Sequence, residues 1–171
     1  EGNASFISKN GVKGVGENID LNIKNEDILI TGQNSSLINN DIIMKSNKII
    51  KVNNMTGDFM LEGINSRLIG QGVDITGSKI EGIFINIDGI NEVQEMFVVD
   101  ESKVNIKTET LNMFSLSAKY NKKDNIIELF EKVKIIRDNE IITGNYAKIN
   151  TLTESYKVTS EKSKKVKVLL S

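Results

Sequence analysis

Phe114-Ser115-Leu116-Ser117-Ala118-Lys119-Tyr120, then Asn121-Lys122-Lys123-Asp124-Asn125, then Ile126-Ile127-Glu128-Leu129: this passage decides the fold class. Apolar and polar residues alternate through the first segment, which puts Phe114, Leu116, Ala118 and Tyr120 on one face of a strand. The middle segment is short and polar. A connection of that length joins antiparallel neighbours, because a parallel crossover needs a dozen or more residues. The third segment resumes the alternation, with Ile127 and Leu129 on one face.

Working outward, the same grammar recurs. Ile19–Ile23, Ile83–Ile87, Val104–Thr108, Ile126–Ile136 and Val166–Leu170 read as strands. Polar turns at Lys24-Asn25-Glu26-Asp27, Arg137-Asp138-Asn139-Glu140 and Asn150-Thr151-Leu152-Thr153 separate them. The one stretch with helical spacing, Ile90, Val93, Met96 and Phe97, is short enough to be a strand with a bulge equally well. Thr-Gly steps end apolar runs at Gly32, Gly57, Gly77 and Gly144. Their spacing drifts, which favours hairpin units over the fixed rungs of a β-helix. The reading is an all-β, antiparallel meander of hairpins, a single domain over residues 1–171.

Composition narrows the function. The chain has no His and no Cys, so the usual general base, zinc ligand and thiol nucleophile are missing. No catalytic residue, metal or cofactor is expected. Lys+Arg 22 against Asp+Glu 23 gives no bulk attraction to nucleic acid. Arg67 and Arg137 are the only arginines, and no aromatics interleave with the lysines of Glu161–Lys167, so no nucleic-acid partner is expected. Gly11-Val12-Lys13-Gly14-Val15-Gly16 has the look of a phosphate loop but precedes a strand, so it reads as a turn or bulge. Asp124 with Glu128, and Asp138 with Glu140, read as solvated turn and strand faces rather than acid/base pairs. Aromatics are 5% and Trp is absent. The interior must be aliphatic, and slim side chains can line a trough without filling it.

From Phe114 onward the chain resembles the organic-solvent-tolerance (OstA-like) domain of the lipopolysaccharide-transport, or Lpt, periplasmic proteins. The residues that carry the resemblance are Ala118-Lys119-Tyr120, Asn125 to Leu129, Glu131-Lys132-Val133-Lys134-Ile135, Ile142-Thr143-Gly144-Asn145, Ala147-Lys148-Ile149 and Ser160 to Val166. Glu131 stands where the family often has Gly, and Ile149 where it often has Tyr. The resemblance implies a twisted, V-shaped antiparallel β-jellyroll, open at both ends, that carries lipopolysaccharide between inner and outer membranes of a Gram-negative cell by holding its acyl chains. It covers both the soluble bridge and the component anchored to the inner membrane. The chain opens at Glu1 and is read as a mature or truncated form, so an N-terminal signal or anchor absent from it is compatible with the resemblance.

Combining that implication with alternation, the trough face is expected to carry Leu116, Ala118, Ile127, Leu129, Val133, Ile135, Ile149, Tyr156, Val158, Val166 and Val168, with a parity shift at Gly144. Expected partners are lipopolysaccharide and other β-jellyrolls of the pathway, joined by strand addition, including head-to-tail self-association from Lys165–Leu170 to Ile19–Ile23. The alternative function is a structural or surface β-repeat protein, an adhesin or autotransporter passenger fragment.

Overall fold

The computed structural model describes residues 3–160 and 166–169. Its strands are β1 (Ala4–Ile7), β2 (Lys13–Gly16), β3 (Asn18–Asn22), β4 (Asp27–Thr31), β5 (Ser35–Asn39), β6 (Ile42–Ser46), β7 (Ile49–Asn53), β8 (Asp58–Gly70), β9 (Val73–Ile87), β10 (Ile90–Lys107), β11 (Asn112–Asn121), β12 (Ile126–Arg137), β13 (Glu140–Asn150), β14 (Tyr156–Thr159) and β15 (Lys167–Leu169). Every pairing is antiparallel, and no helix occurs among the described residues. Lys165 and Leu170, expected in the last strand, lie outside the described residues.

The sheet forks at β8. Residues 59–62 of β8 pair with β7, which leads to β4 and β3, while residues 67–69 pair with β6, which leads to β5, β2 and β1. Each long strand from β8 to β13 crosses the same line through a register irregularity: between Glu62 and Ser66, Val99 and Val104, Phe114 and Ser117, and Phe130 and Val133. Bulges bend the bearing strand. A line of them folds one sheet along a crease into two layers, a V. Layer I holds β3, β4, β7, one half of each long strand, and β14. Layer II holds β1, β2, β5, β6, the other halves, and β15.

Bending a ladder frees carbonyls, and small buried hydroxyls take them up along the crease. Ser35 Oγ donates to Gly32 O at 2.8 Å, Ser46 Oγ to Glu62 O at 2.6 Å, Ser66 Oγ to Gly63 O at 2.8 Å and Ser115 Oγ to Ser117 O at 2.9 Å. These four serines are buried. A buried hydroxyl without such a bond would cost free energy, so their placement at the crease follows from its geometry.

Side chains between the layers form unbroken rows. Across layer I, one row runs Ile19, Ile30, Ile50, Leu61, Ile80, Val98, Ala118, Leu129, Ala147, Val158. Its neighbour begins at Leu21 and Ile28 and ends at Tyr120, Ile127, Ile149 and Tyr156 by the same pairings. Layer II answers with Phe6, Gly14, Leu37, Met44, Leu68, Ile75, Ile106, Met113, Ile135, Ile142, Val168. Most members of these rows are buried and belong to one continuous core. At the N-terminal end the layers touch: a Cβ on Gly14 would collide with the Phe6 ring and lie 2.9 Å from Ile30 Cδ1. The Gly11–Gly16 motif is thus a turn followed by an inward-facing edge-proximal strand.

The strands depart from the expected alternation in two places. From Phe114 to Tyr120 the chain does not hold one parity, because the bulge between Phe114 and Ser117 intervenes. Met113 and Ser115 face inward before it, Ala118 and Tyr120 after it. Phe114 points outward, its ring centroid 5.2 Å from Lys103 Nζ. Leu116 sits inside the irregularity, half-buried, and belongs to neither inner row. The helically spaced Ile90, Val93, Met96 and Phe97 lie on strand β10: a register shift between Val93 and Glu95 brings Val93 and Met96 to the same inner face, whereas Ile90 is exposed and Phe97 faces outward.

Candidate functional site

Opposite the crease lies the mouth of the V, where hairpin turns of the two layers face each other as lips. Between them opens an apolar cleft of about 530 Å³. Its walls are the mouth-side ends of the inner rows: Leu68, Ile75, Ile106 and Met113 from layer II, and Met96, Tyr120, Ile127 and Ile149 from layer I. That volume falls in the range of sites that hold small apolar ligands. Burial in the wall pushes the Tyr120 phenol above its ordinary pKa, and the charge of Glu92 adds to the shift.

Polar side chains span the mouth at both ends of the cleft. Asn40 Nδ2 donates to Gly89 O at 2.8 Å, and Gln71 Nε2 to Asn91 O at 2.8 Å. At the other end, Glu154 on the layer I lip accepts from Thr110 Oγ1 at 2.6 Å and from Arg137 Nη2 at 3.0 Å, both on the layer II lip. The Thr110 hydroxyl, with Arg137 adding its charge, holds the Glu154 carboxyl below the usual range. The Arg137 guanidinium lies 5.9 Å from the Tyr156 ring centroid.

Of the residues expected on the trough face, Ala118, Ile127, Leu129, Val133, Ile135 and Ile149 lie in the buried core between the layers. Tyr156 and Val158 extend the layer I rows at its edge and are half-buried. Val168 is in register with inward-facing Ile142 but, on the edge strand, is 52% exposed; Val166 is 39% exposed. Along β12, Ile127, Leu129, Val133 and Ile135 keep one parity through the crease. Along β13, Ile142 and Gly144 give way to Ala147 and Ile149, the expected shift at Gly144. The expectation of an unfilled trough is met only at the mouth. Deeper in, the aliphatic faces are shielded from water, with Ile50, Leu61 and Leu129 fully buried. Reasoning from sequence missed the N-terminal half of the rows, such as Ile30, Leu37, Met44 and Ile50, although Ile28-Leu29-Ile30 and Ile50-Lys51-Val52 carry the alternation. It also missed the polar clasps, which sequence spacing does not encode.

A larger concavity, about 1300 Å³, occupies the outer face of layer I. Its surface is a cross-strand ladder of charges around Phe97, with Lys119 Nζ 5.9 Å from the Phe97 centroid and 6.0 Å from that of Phe130. Tyr146 donates to Glu128 there, and burial with that bond pushes its phenol up to about 12. This face is a solvated saddle of the twisted sheet. Among the described residues no group of three or more Asp or Glu is placed to hold a metal ion.

The architecture defines a class: an antiparallel β-jellyroll folded along one crease, unclosed, with an aliphatic interior and a cleft along its mouth. No protein-family model matches the sequence, and no curated protein matches it. Among solved structures the chain is similar to LptH of Pseudomonas aeruginosa, described as the LptA-homologous periplasmic component of the conserved lipopolysaccharide transport device. The TM-score is 0.62 at 10% identity, over 76% of this chain and 94% of that one. The likeness is one of fold.

Proposed function

We propose that this chain is a periplasmic carrier module that holds the acyl chains of lipopolysaccharide between its layers, on a route between inner and outer membrane. The observation that carries the reading is the set of inward apolar rows that run from the first strands to the last and end at strands that, among the described residues, are paired on one side only, so that an aliphatic surface is continuous along the molecule. LptH, of the same fold, is a component of such a device. The sequence has no His and no Cys, so the commonest general base and thiol nucleophile are not available to it. The surface β-repeat alternative is not favoured, because the strands form hairpins bent at a common crease rather than stacked coils. In this reading the closed interior separates about the crease as chains enter, and the cleft is where separation begins.

Photo-crosslinkers at Leu129 and Glu128 test it. Adjacent in sequence, they face the interior and the outer surface respectively. Lipopolysaccharide should label the Leu129 probe and spare that at Glu128. Equal labelling at both positions, or none at Leu129, refutes the carrier reading.

A further inference from the structure

The clasp at the C-terminal end of the cleft has the donor set of an anion seat. Glu154 presents two oxygens: one accepts from the Thr110 hydroxyl at 2.6 Å, the other from the Arg137 guanidinium at 3.0 Å. A phosphate monoester offers the same pair of charged oxygens with similar spacing, and a planar guanidinium recognises either. Of the two arginines, Arg67 is committed on the outer face of layer II, its Nε donating to Asp74 Oδ1 at 2.7 Å. Arg137 alone of the two stands at the mouth, and its partner Glu154 also lines the apolar cleft. The Tyr156 ring approaches the guanidinium from the layer I side, its centroid 5.9 Å away. Lys122, on the layer I lip, adds a second cation to the cleft rim.

Resting on the carrier reading above, we propose that Arg137 and Thr110 form a headgroup seat for a phosphate-bearing amphiphile, and that Glu154 is an internal stand-in which the phosphate displaces. Acyl chains occupying the cleft bring the headgroup to the lip; the incoming phosphate takes the guanidinium and hydroxyl, and Glu154 swings to solvent. That exchange also removes the Glu154 bonds between the lips, so recognition of the headgroup and loosening of the mouth at this end are one event. Glu109, on the cleft rim, and Glu140, which accepts from the Tyr156 hydroxyl, flank the seat. Their charge disfavours small free anions, so the seat responds to phosphate delivered on an acyl anchor and not to inorganic phosphate.

Binding is measured by native mass spectrometry and calorimetry for the whole chain, Arg137→Gln and Glu154→Gln. The probes are lipopolysaccharide, a short-chain phosphatidic acid, and the diacylglycerol with identical chains. Losing the charge-assisted guanidinium contact should weaken phosphatidic acid by about tenfold in R137Q. In E154Q its binding should tighten severalfold, because the internal competitor is neutral. Diacylglycerol should be unmoved in both. A response of both phosphate-bearing probes assigns the seat to lipid phosphate in general, and a response of lipopolysaccharide alone assigns it to that lipid's phosphates; either supports the inference. Equal shifts for all three probes, or unchanged phosphate-lipid binding in both variants, overturns it while leaving the carrier reading intact. A wild-type chain that binds none of the probes overturns both. Should R137Q fail to fold, Arg137→Lys serves: it keeps the charge, loses the fork, and should lie between wild type and a complete loss.

Discussion

At the residue scale, the chain makes its turns without proline, and at many of them without glycine. Asn34, Asn40, Asn125, Asp88 and Asp138 adopt positive φ, the left-handed region that short polar side chains tolerate. That accounts for the Asn- and Asp-rich punctuation between apolar runs. Glu131 and Lys132 are different. Their φ values are 62° and 50°, and they form the bulge that carries β12 across the crease. A Cβ in that region costs roughly 1–2 kcal/mol for a residue without local hydrogen bonding. Glu131 is the position at which the resembling family often has Gly, and the structure supplies the reason. Glu131→Gly should therefore raise stability by about 1 kcal/mol, the relief of the left-handed strain less the added unfolded-state entropy of glycine. Urea midpoints at unchanged slope measure it; a destabilised variant would mean that the side chain itself holds the bulge.

At the scale of elements, what was legible was whatever period-2 alternation reports. Strand β12 keeps its parity through the crease, so simple alternation puts Ile127, Leu129, Val133 and Ile135 on the one face that the structure buries. Strand β11 changes parity at Ser115–Ala118, so the same alternation misplaces Leu116. A bulge is a local compromise between two long-range pairings, and neither partner strand is visible in an isolated segment. The fork at β8 escaped for the same reason: the short strands β3 to β7 fall into two layers by tertiary contact alone. In β10 the crease is held by Asp100, whose carboxylate accepts from Ser102 N at 2.8 Å, Ser102 Oγ at 2.8 Å and Lys103 N at 2.9 Å. Partial burial acts to raise the Asp100 pKa, but these donors outweigh it and the net shift is downward. A depressed folded pKa contributes stability that is complete above the unfolded value, about 3.9, and is lost as pH falls through the folded value. Asp100→Ala should cost about 1–2 kcal/mol at neutral pH. That cost should shrink in acid as the wild type loses the same bonds. Denaturation of both proteins at pH 7 and near pH 3 decides it; a gap that is constant with pH would assign the effect to packing.

At the scale of the molecule, the layers terminate differently, and this constrains how two copies would join if strand addition links them. Among the described residues layer I has β3 at one end and β14 at the other, each paired on one side only. Ten alternating strands leave β3 and β14 antiparallel. Layer II ends in β1 and β15, and its eleven strands leave those two parallel. Antiparallel pairing is the more stable per residue, so β14 of one copy against β3 of the next is the better joint. We propose it ahead of the Lys165–Leu170 to Ile19–Ile23 pairing expected from sequence, because β15 ends layer II and β3 ends layer I. The rows then fix the register. Continuing them across the joint sets Tyr156 beside Leu21 and Val158 beside Ile19 on the inner face, and Lys157 beside Asp20 on the outer. All three pairs are complementary, apolar with apolar and cation with anion. The contact is heterologous and does not close, so it should give chains of varying length, with itself or with another jellyroll bearing an equivalent edge. Lys157→Glu should weaken association, and so should Asp20→Lys, each by placing like charges opposite one another. Mixing the two variants should restore it, in chains where the two alternate. Every joint between unlike copies then pairs opposite charges: the introduced glutamate faces the introduced lysine at one joint, and the native Lys157 faces the native Asp20 at the next. Sedimentation velocity across a concentration series reads each variant and the mixture. Association left unchanged by either charge reversal would exclude this register, and a strict monomer at millimolar concentration, alone and with partner jellyrolls, would count against strand addition as the means by which the apolar rows are made continuous.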